Sequence, residues 1–522
     1  MEIELVKEKI ILDRKIVEES TQIMAEGDII VPDVKPDVSK ILQCKGNIFL
    51  ESLEVSEDKI NFNCKIECEI LYLAEGIDKS LHSMTATLLT EDFINVDGVT
   101  REMQMNMDCE LIHLDCKLLN GRKLYIKAVS EVRARAEAAI SNEVVTSINK
   151  IEEVQLQKSK INVSRTIENK KDKILIKEEI TVPSGKANIK EILFCNVNIA
   201  DKECRISDGI VGVKGTLMIS TLYKGELDDT TVEFMEHEIP FNGQIEAKNC
   251  KEGMLGDVVL KLEKKYAQIH ADADGEERVI GLELEIGAKL LVIDTEEIEV
   301  VEDAYCINKK LVLNRENIKY PQLVCKNKNQ SSVKETVVLD EDLEEIMQIY
   351  NVNGRAKIED MKIIDDKVIV EGIINVDILY IAKSDFAPLC SFEEIIPFRQ
   401  TIEARGARND MKVDVDLSIE HISFNMLSTT EIEVRFILDF GVWVKAEKEV
   451  ELIVEAEAEE FDKEALEEAA SANIYVVQMG DTLWKIAKKY NASIEEIIEL
   501  NELEDSKISL GQKLLVLKRI LL

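Results

Sequence analysis

The residues best able to do chemistry are scattered. The 522-residue chain has five histidines, His82, His113, His237, His270 and His421, all far apart. A zinc hydrolase helix needs two histidines one turn apart beside a glutamate. No such helix occurs, and His237-Glu238-Ile239-Pro240-Phe241 is broken by proline. His113 and His421 fall at similar places of an internal repeat, with Tyr266 near the third such place, which favours a structural role. Gly212-Val213-Lys214-Gly215 lies within a strand pattern, whereas a P-loop needs GxxxxGK[ST] between strand and helix. Asp272-Ala273-Asp274-Gly275 lacks the third acidic position and distal glutamate of an EF-hand and reads as a hairpin turn. The 11 cysteines are odd in number and form no CxxC pair; many, such as Cys64 and Cys68, sit at apolar strand positions. They read as reduced, buried small hydrophobes rather than a disulfide framework. No catalytic residue, cofactor site or metal site is expected, and the chain is not expected to be an enzyme.

The most informative spacing is C-terminal. Tyr475-Val476-Val477 is a short apolar strand and Gly480-Asp481 turns the chain. Asp481 or Thr482 can cap the helix that follows. Leu483, Ile486, Ala487 and Tyr490 then fall on one helix face. Asn491 suits a helix end, and Ser493 with Glu496 predicts a capping box opening a second helix. Gly511-Gln512 turns into a last strand. This segment balances seven basic residues against seven acidic ones, while the whole chain carries a net charge of −37. A neutral end on an acidic body marks a domain boundary.

The elements upstream repeat. Ile60, Phe62, Cys64, Ile66, Cys68, Ile70 and Tyr72 alternate with mostly polar residues. The same phase recurs from Val211 to Tyr223 and from Val368 to Tyr380, so the tyrosines lie 151 and then 157 positions apart. Ile41-Leu42-Gln43-Cys44 matches Ile192-Leu193-Phe194-Cys195, and Val31-Pro32-Asp33-Val34-Lys35-Pro36-Asp37 has a partial echo at 182–188 that the third copy has lost. Period-two alternation predicts long antiparallel strands with one face buried and one wet. The expected fold is mainly β: three tandem sandwich or barrel-like modules over 1–145, 146–302 and 303–454, an acidic helical linker over 455–473, and a small strand–helix–helix–strand domain over 474–518. The connecting stretches near 145–180 and 303–338 could hold strands or short helices. Ile66, Leu217 and Ile374 are predicted to face their own cores.

Charge and hydropathy narrow the partners. So acidic a body repels nucleic-acid phosphates and anionic lipid surfaces. No run of some 18 apolar residues occurs, so no membrane span is predicted. The first residues are acidic where a signal peptide would be basic, so a cytoplasmic location is expected.

Residues 474–517 resemble the LysM family throughout. The GDTLWKIAKKY block, the Leu500-Asn501 end of the second helix and the GQKL turn carry the resemblance. It implies a groove between two loops that binds N-acetylglucosamine-containing glycans. Carried onto this chain, the groove would use Gly480, Asp481, Thr482 and Leu483 on one side and Lys507, Ile508, Ser509 and Leu510 on the other. Trp484 has two readings: a half-buried packing residue, or an anchor for a protein partner, since tryptophan is enriched at binding hot spots. VPDVKPDVSKIL opening a β-rich module, with several such modules before one LysM, resembles the SPOCS-domain spore-coat morphogenetic proteins of endospore-forming Clostridia. That resemblance implies a non-enzymatic adaptor in the mother-cell cytosol, associated at the forespore surface and spore coat with the coat morphogenetic ATPase SpoIVA. Peptidoglycan glycan is the alternative ligand.

Overall fold

Alternating apolar residues form strands here because each strand can bury one face against a second sheet. The computed structural model describes residues 3–76, 80–101, 103–226, 232–383, 389–461 and 472–517. Module 1 consists of β1 (Glu4–Ile30), β2 (Val38–Ser56), β3 (Lys59–Ala74), β4 (Leu81–Asn95), β5 (Gln104–Asn120) and β6 (Lys123–Asn149). Module 2 repeats the set as β7 (Val154–Thr181), β8 (Ile189–Ser207), β9 (Ile210–Gly225), β10 (Val232–Glu246), β11 (Leu255–Ala271) and β12 (Glu277–Cys306). Module 3 has β13 (Lys310–Val338), β14 (Ile346–Ile364), β15 (Lys367–Ala382), β16 (Leu389–Glu403), β17 (Lys412–Met426) and β18 (Glu431–Glu459). In each module the second, third and fourth strands form one three-stranded antiparallel sheet, and the first, sixth and fifth form another. The two sheets close a sandwich around a separate core. Ile66, Leu217 and Ile374 are fully buried in those three cores, as the alternation predicts.

The repeat extends to local detail. Tyr72, Tyr223 and Tyr380 are fully buried, and each hydroxyl donates to the carbonyl 36 residues earlier, of Pro36, Ala187 and Glu344. Bulges fall at the same places in every copy, between Lys15 and Val17, Val292 and Ile293, and Leu323 and Cys325. The VPDVKPD turn has a clear task. Arg122 donates to the carbonyls of Val31 and Lys35 and to Asp33 and Asp37. Arg278 does the same in module 2 for the carbonyls of Val182, Pro183 and Lys186. Module 3 has Thr430 at that place, its carbonyl bonded by Leu339 N–H, and it lacks the motif too.

Two stretches left open or read otherwise from the sequence take a definite form. The stretches near 145–180 and 303–338 are not connectors: they hold the long strands β7 and β13, which pair with β12 and β18 almost end to end. The module boundaries accordingly fall at 150–153 and 307–309. Of the expected helical linker, residues 462–471 lie outside the described residues. Residues 455–459 finish β18, because Glu and Ala alternate there at strand period and Lys310 pairs with Glu459 at 2.8 Å.

The long strands run past their sandwiches as three two-stranded ribbons, which share two apolar clusters. Ile10, Val144, Val163, Val300, Tyr320 and Leu452 meet in one; Val145, Ile148, Val301 and Ile453 meet in the other. The modules also close a ring: β4 packs on β8, Phe234 of β10 on Tyr350 of β14, and β16 on β2. At its centre Leu71, Leu222 and Leu379, equivalent residues beside the three tyrosines, are buried together. The predicted wet face is therefore dry at the end of each Tyr strand, because it is covered by neighbouring modules.

Candidate functional site

The C-terminal domain consists of β19 (Ala472–Val476), α1 (Leu483–Tyr490), α2 (Ile494–Leu500) and β20 (Lys513–Leu517). Val477, Leu483, Ile486, Ala487, Ala492, Ile497, Leu514 and Val516 form its core. Leu483, placed in the groove by resemblance, is 2% exposed and belongs to that core. Thr482 rather than Asp481 caps α1, its Oγ1 accepting from Lys485 N–H at 3.2 Å. Asn491 ends the helix in the left-handed conformation, φ 50°. Ser493 occupies the N-cap of α2, but its side chain makes no capping hydrogen bond, so the expected capping box does not form as such.

The chain beside the two expected groove loops is tied together. Gly511 N–H donates to Val477 O and Val477 N–H to Gln512 O, both at 2.9 Å, which draws the second loop against the first. Gly480 and Gly511 sit at φ +86° and +81°, where a side chain would be strained, so these turns need glycine. Asp481 Oδ2 accepts from Gln478 N–H at 2.8 Å and from Tyr475 O–H at 2.7 Å. Those bonds hold its carboxyl below the ordinary aspartate value. Ser509 N–H donates to Gln512 Oε1 at 2.8 Å and Lys507 N–H to Asp505 Oδ1 at 2.8 Å. Gly480, Thr482, Lys507, Ser509 and Leu510 are exposed, while Asp481 and Ile508 are half-buried. Met479, at 94% exposure, and Leu510, at 73%, leave an apolar side chain open on each loop. The rim of the expected groove thus carries short hydroxyls and two bare apolar side chains.

Trp484 is separated from that groove. It is half-buried and turns to the tip of the module 2 ribbon. Its Nε1–H donates to Asp303 Oδ2 at 2.8 Å, and its ring meets Tyr305 edge-on at 5.0 Å. Lys488 Nζ bridges both oxygens of Asp303 at 2.6 and 2.8 Å, and Arg315 pairs with the same carboxylate. Burial pushes the Asp303 carboxyl up, but the bonds from Lys488 and Trp484 and the neighbouring charges prevail and hold it below the ordinary aspartate value. Tyr305 O–H donates to Ala492 O at 2.8 Å, and Tyr305 and Ile307 join the apolar core of the small domain. Trp484 thus packs on an inter-domain surface formed by Asp303 and Tyr305.

Sequence reasoning missed Asp303, Tyr305, Ile307 and Arg315. The signal was a break in the repeat. Counting from the bulge near each ribbon tip, Asp303 and Tyr305 occupy the places of Ser147 and Asn149 in module 1 and Glu455 and Glu457 in module 3. Only module 2 presents an aromatic beside an aspartate there. Asn501 was also underread: its side chain bonds Ile497 O, Leu515 O and Leu515 N–H, tying the end of α2 to β20.

Among the described residues no group of three or more His, Cys, Asp or Glu could hold a metal. Asp272 takes the N–H groups of Asp274 and Glu276 into a hairpin turn, as expected. A cleft of about 1180 Å³ between the ribbons is lined by side chains of mixed charge, among them Arg135, Lys412, Asp414, Lys445 and Glu447. No helix among the described residues is long and apolar enough to cross a membrane.

Two family models match the chain. The one described as "SipL, SPOCS domain" matches residues 37–119, 188–270 and 345–427, one segment in each module. The LysM domain model matches 475–516. Each SPOCS match spans the second to fifth strands of its module, so the outer ribbons and the Asp303 landing lie outside it. No curated protein and no solved structure matches the chain. SPOCS and LysM are binding domains rather than catalytic ones, and the SPOCS copies mark a sporulation-related protein.

Proposed function

The chain is a SPOCS-plus-LysM protein, with three SPOCS copies and one C-terminal LysM domain, and from that premise we propose that it is a non-enzymatic adaptor in spore coat assembly. It works in the mother-cell cytosol and holds the coat morphogenetic ATPase SpoIVA at the forespore surface, with the LysM domain as a principal contact. The observation that carries the reading is how the LysM domain is mounted. Asp303 and Tyr305 clamp one side of it to the ribbon bundle while both groove loops stay open. A domain fixed in this way presents its groove at one end of a rigid body, which lowers the ordering cost of binding. The exposed Met479 and Leu510 favour a protein partner, because bare apolar side chains on facing loops gain most from an apolar counterpart. The exposed hydroxyl side chains of Thr482 and Ser509 favour the alternative, an N-acetylglucosamine-containing glycan.

One experiment separates the two. Full-length protein and a Met479→Asp, Leu510→Asp variant are offered purified SpoIVA and, separately, N-acetylglucosamine oligomers. The adaptor reading expects the wild type to retain the ATPase and the variant to bind it roughly thirtyfold more weakly, the equivalent of about 2 kcal/mol at an apolar anchor. Micromolar binding of the oligomers, with no retention of the ATPase, would replace the adaptor reading with the glycan one.

A further inference from the structure

Modules 2 and 3 fill the centre of the Tyr strand in the same way. A Cβ on Gly215 would stand 2.7 Å from the Phe241 ring, and one on Gly372 would stand 2.6 Å from the Phe398 ring. Each phenylalanine lies directly across from its glycine on the next strand. Module 1 fills this place differently, with Cys64 paired across from Thr90. A second exchange accompanies the first. At the repeat spacing of the tyrosines, Cys109 on β5 stands where modules 2 and 3 have Leu260 and Leu417. The two exchanged positions face each other across the sandwich, and Cys64 Sγ lies 3.8 Å from Cys109 Sγ. Cys64 is fully buried, while Cys109 is partly open.

We propose that Cys64 and Cys109 are a disulfide-forming pair, a modification site through which peroxide covalently joins the two sheets of module 1. The sheets that carry β3 and β5 share no backbone ladder and are held to each other by side-chain packing. Cys109 is the residue that meets the oxidant. The hydrogen bond between it and Cys64 lowers its thiol pKa, and the charges of Lys261 and Lys171 from module 2 add to that against the cost of burial and the Asp108 carboxylate. The Cys109 thiolate attacks one oxygen of hydrogen peroxide, the O–O bond breaks, and hydroxide leaves, giving a sulfenic acid. The Cys64 sulfur then attacks the Cys109 sulfur, its proton passes to the departing hydroxyl, and water is released as the S–S bond forms. Two thiols have lost two electrons and one peroxide has become two waters. The bond closes a segment of 45 residues, and a cross-link of that length removes much of the freedom of the unfolded module.

Cys44, hydrogen-bonded with Cys68 and Cys116 in the same module, is the competing thiol group. Reduced full-length protein is treated with stoichiometric hydrogen peroxide, digested without reductant and mapped by mass spectrometry. The expected product is a Cys64–Cys109 linked peptide. Free thiols should fall from 11 to nine, and the melting temperature of the SPOCS body should rise by several degrees, reversed by dithiothreitol. Cys109→Ser, at the partly open position, should abolish both the link and the rise. The proposal is overturned if Cys64 and Cys109 remain thiols, if Cys109 proceeds to sulfinic acid without linking, or if Cys44, Cys68 or Cys116 forms the first disulfide. The wild-type map decides these outcomes by itself should the variant fold poorly.

Discussion

Replacing Asp303 by alanine should release the LysM domain from the ribbon bundle without unfolding either part. The Asp303 side chain is only 16% exposed and receives Trp484, Lys488 and Arg315. Removing one member of a desolvated, hydrogen-bonded charge group costs roughly 2–5 kcal/mol. Lys488 is 40% exposed, so solvent screening puts the loss at the low end, about 2 kcal/mol, or roughly thirtyfold in the docked-to-free ratio. The Tyr305–Ala492 bond and the Tyr305–Trp484 ring contact remain, so docking is weakened rather than abolished. Tryptophan fluorescence can follow this, because the chain has two tryptophans and the other, Trp443, is 2% exposed beneath Lys326 of module 3. Asp303→Ala should shift Trp484 emission to the red and open it to acrylamide, with the far-ultraviolet circular dichroism unchanged. Asp303→Asn keeps an acceptor for the indole N–H and should give a smaller change. If Asp303→Ala leaves both emission and quenching at wild-type values, Asp303 does not hold the domain.

Two further outcomes test the repeat architecture and the ring. Substituting strand glycines by alanine should destabilise in the order Gly372, Gly215, Gly212. The new Cβ would meet Lys357 O at 2.1 Å, the Phe241 ring at 2.7 Å and nothing nearer than 3.8 Å, respectively. Denaturant titration should show losses of about 1–3 kcal/mol for the first two and less than that for the third. Acid should loosen the contact between modules 1 and 2, where Glu191 of β8 pairs with Lys35, Lys224 and His82. Burial raises the Glu191 pKa, but the bonds from His82 and Lys35 and the lysine charges outweigh it and lower it to about 2. A depressed folded value means the stabilisation is complete above the ordinary value of 4.5 and is lost as pH falls toward about 2. Hydrogen exchange at the facing strands should rise across that window, and Glu191→Gln should remove the pH dependence.

The alternation ending at Tyr72, Tyr223 and Tyr380 was enough to define three β modules and to orient Ile66, Leu217 and Ile374, because a period of two leaves a strand only one way to bury its apolar face. The spacing of GDTLWKIAKKY likewise defined the small domain, since caps, helix face and turn glycines act within a few residues of one another. The stretches of β7 and β13 read equally as strands or short helices, because ribbons that bury residues against two other ribbons lose the clean in-and-out pattern of a sheet with one wet face. The ring was hidden for a related reason: Leu71, Leu222 and Leu379 are ordinary strand residues until three sheets bring them together. Trp484 shows the difference most sharply. Its place on a helix was readable from local spacing, but whether it faced a partner or its own chain depended on Asp303 and Tyr305, some 180 residues upstream. Local hydrogen bonding and periodicity are written in neighbouring residues; which surfaces meet across the chain is set by tertiary packing, and that alone made Trp484 an internal clamp and left the groove loops open.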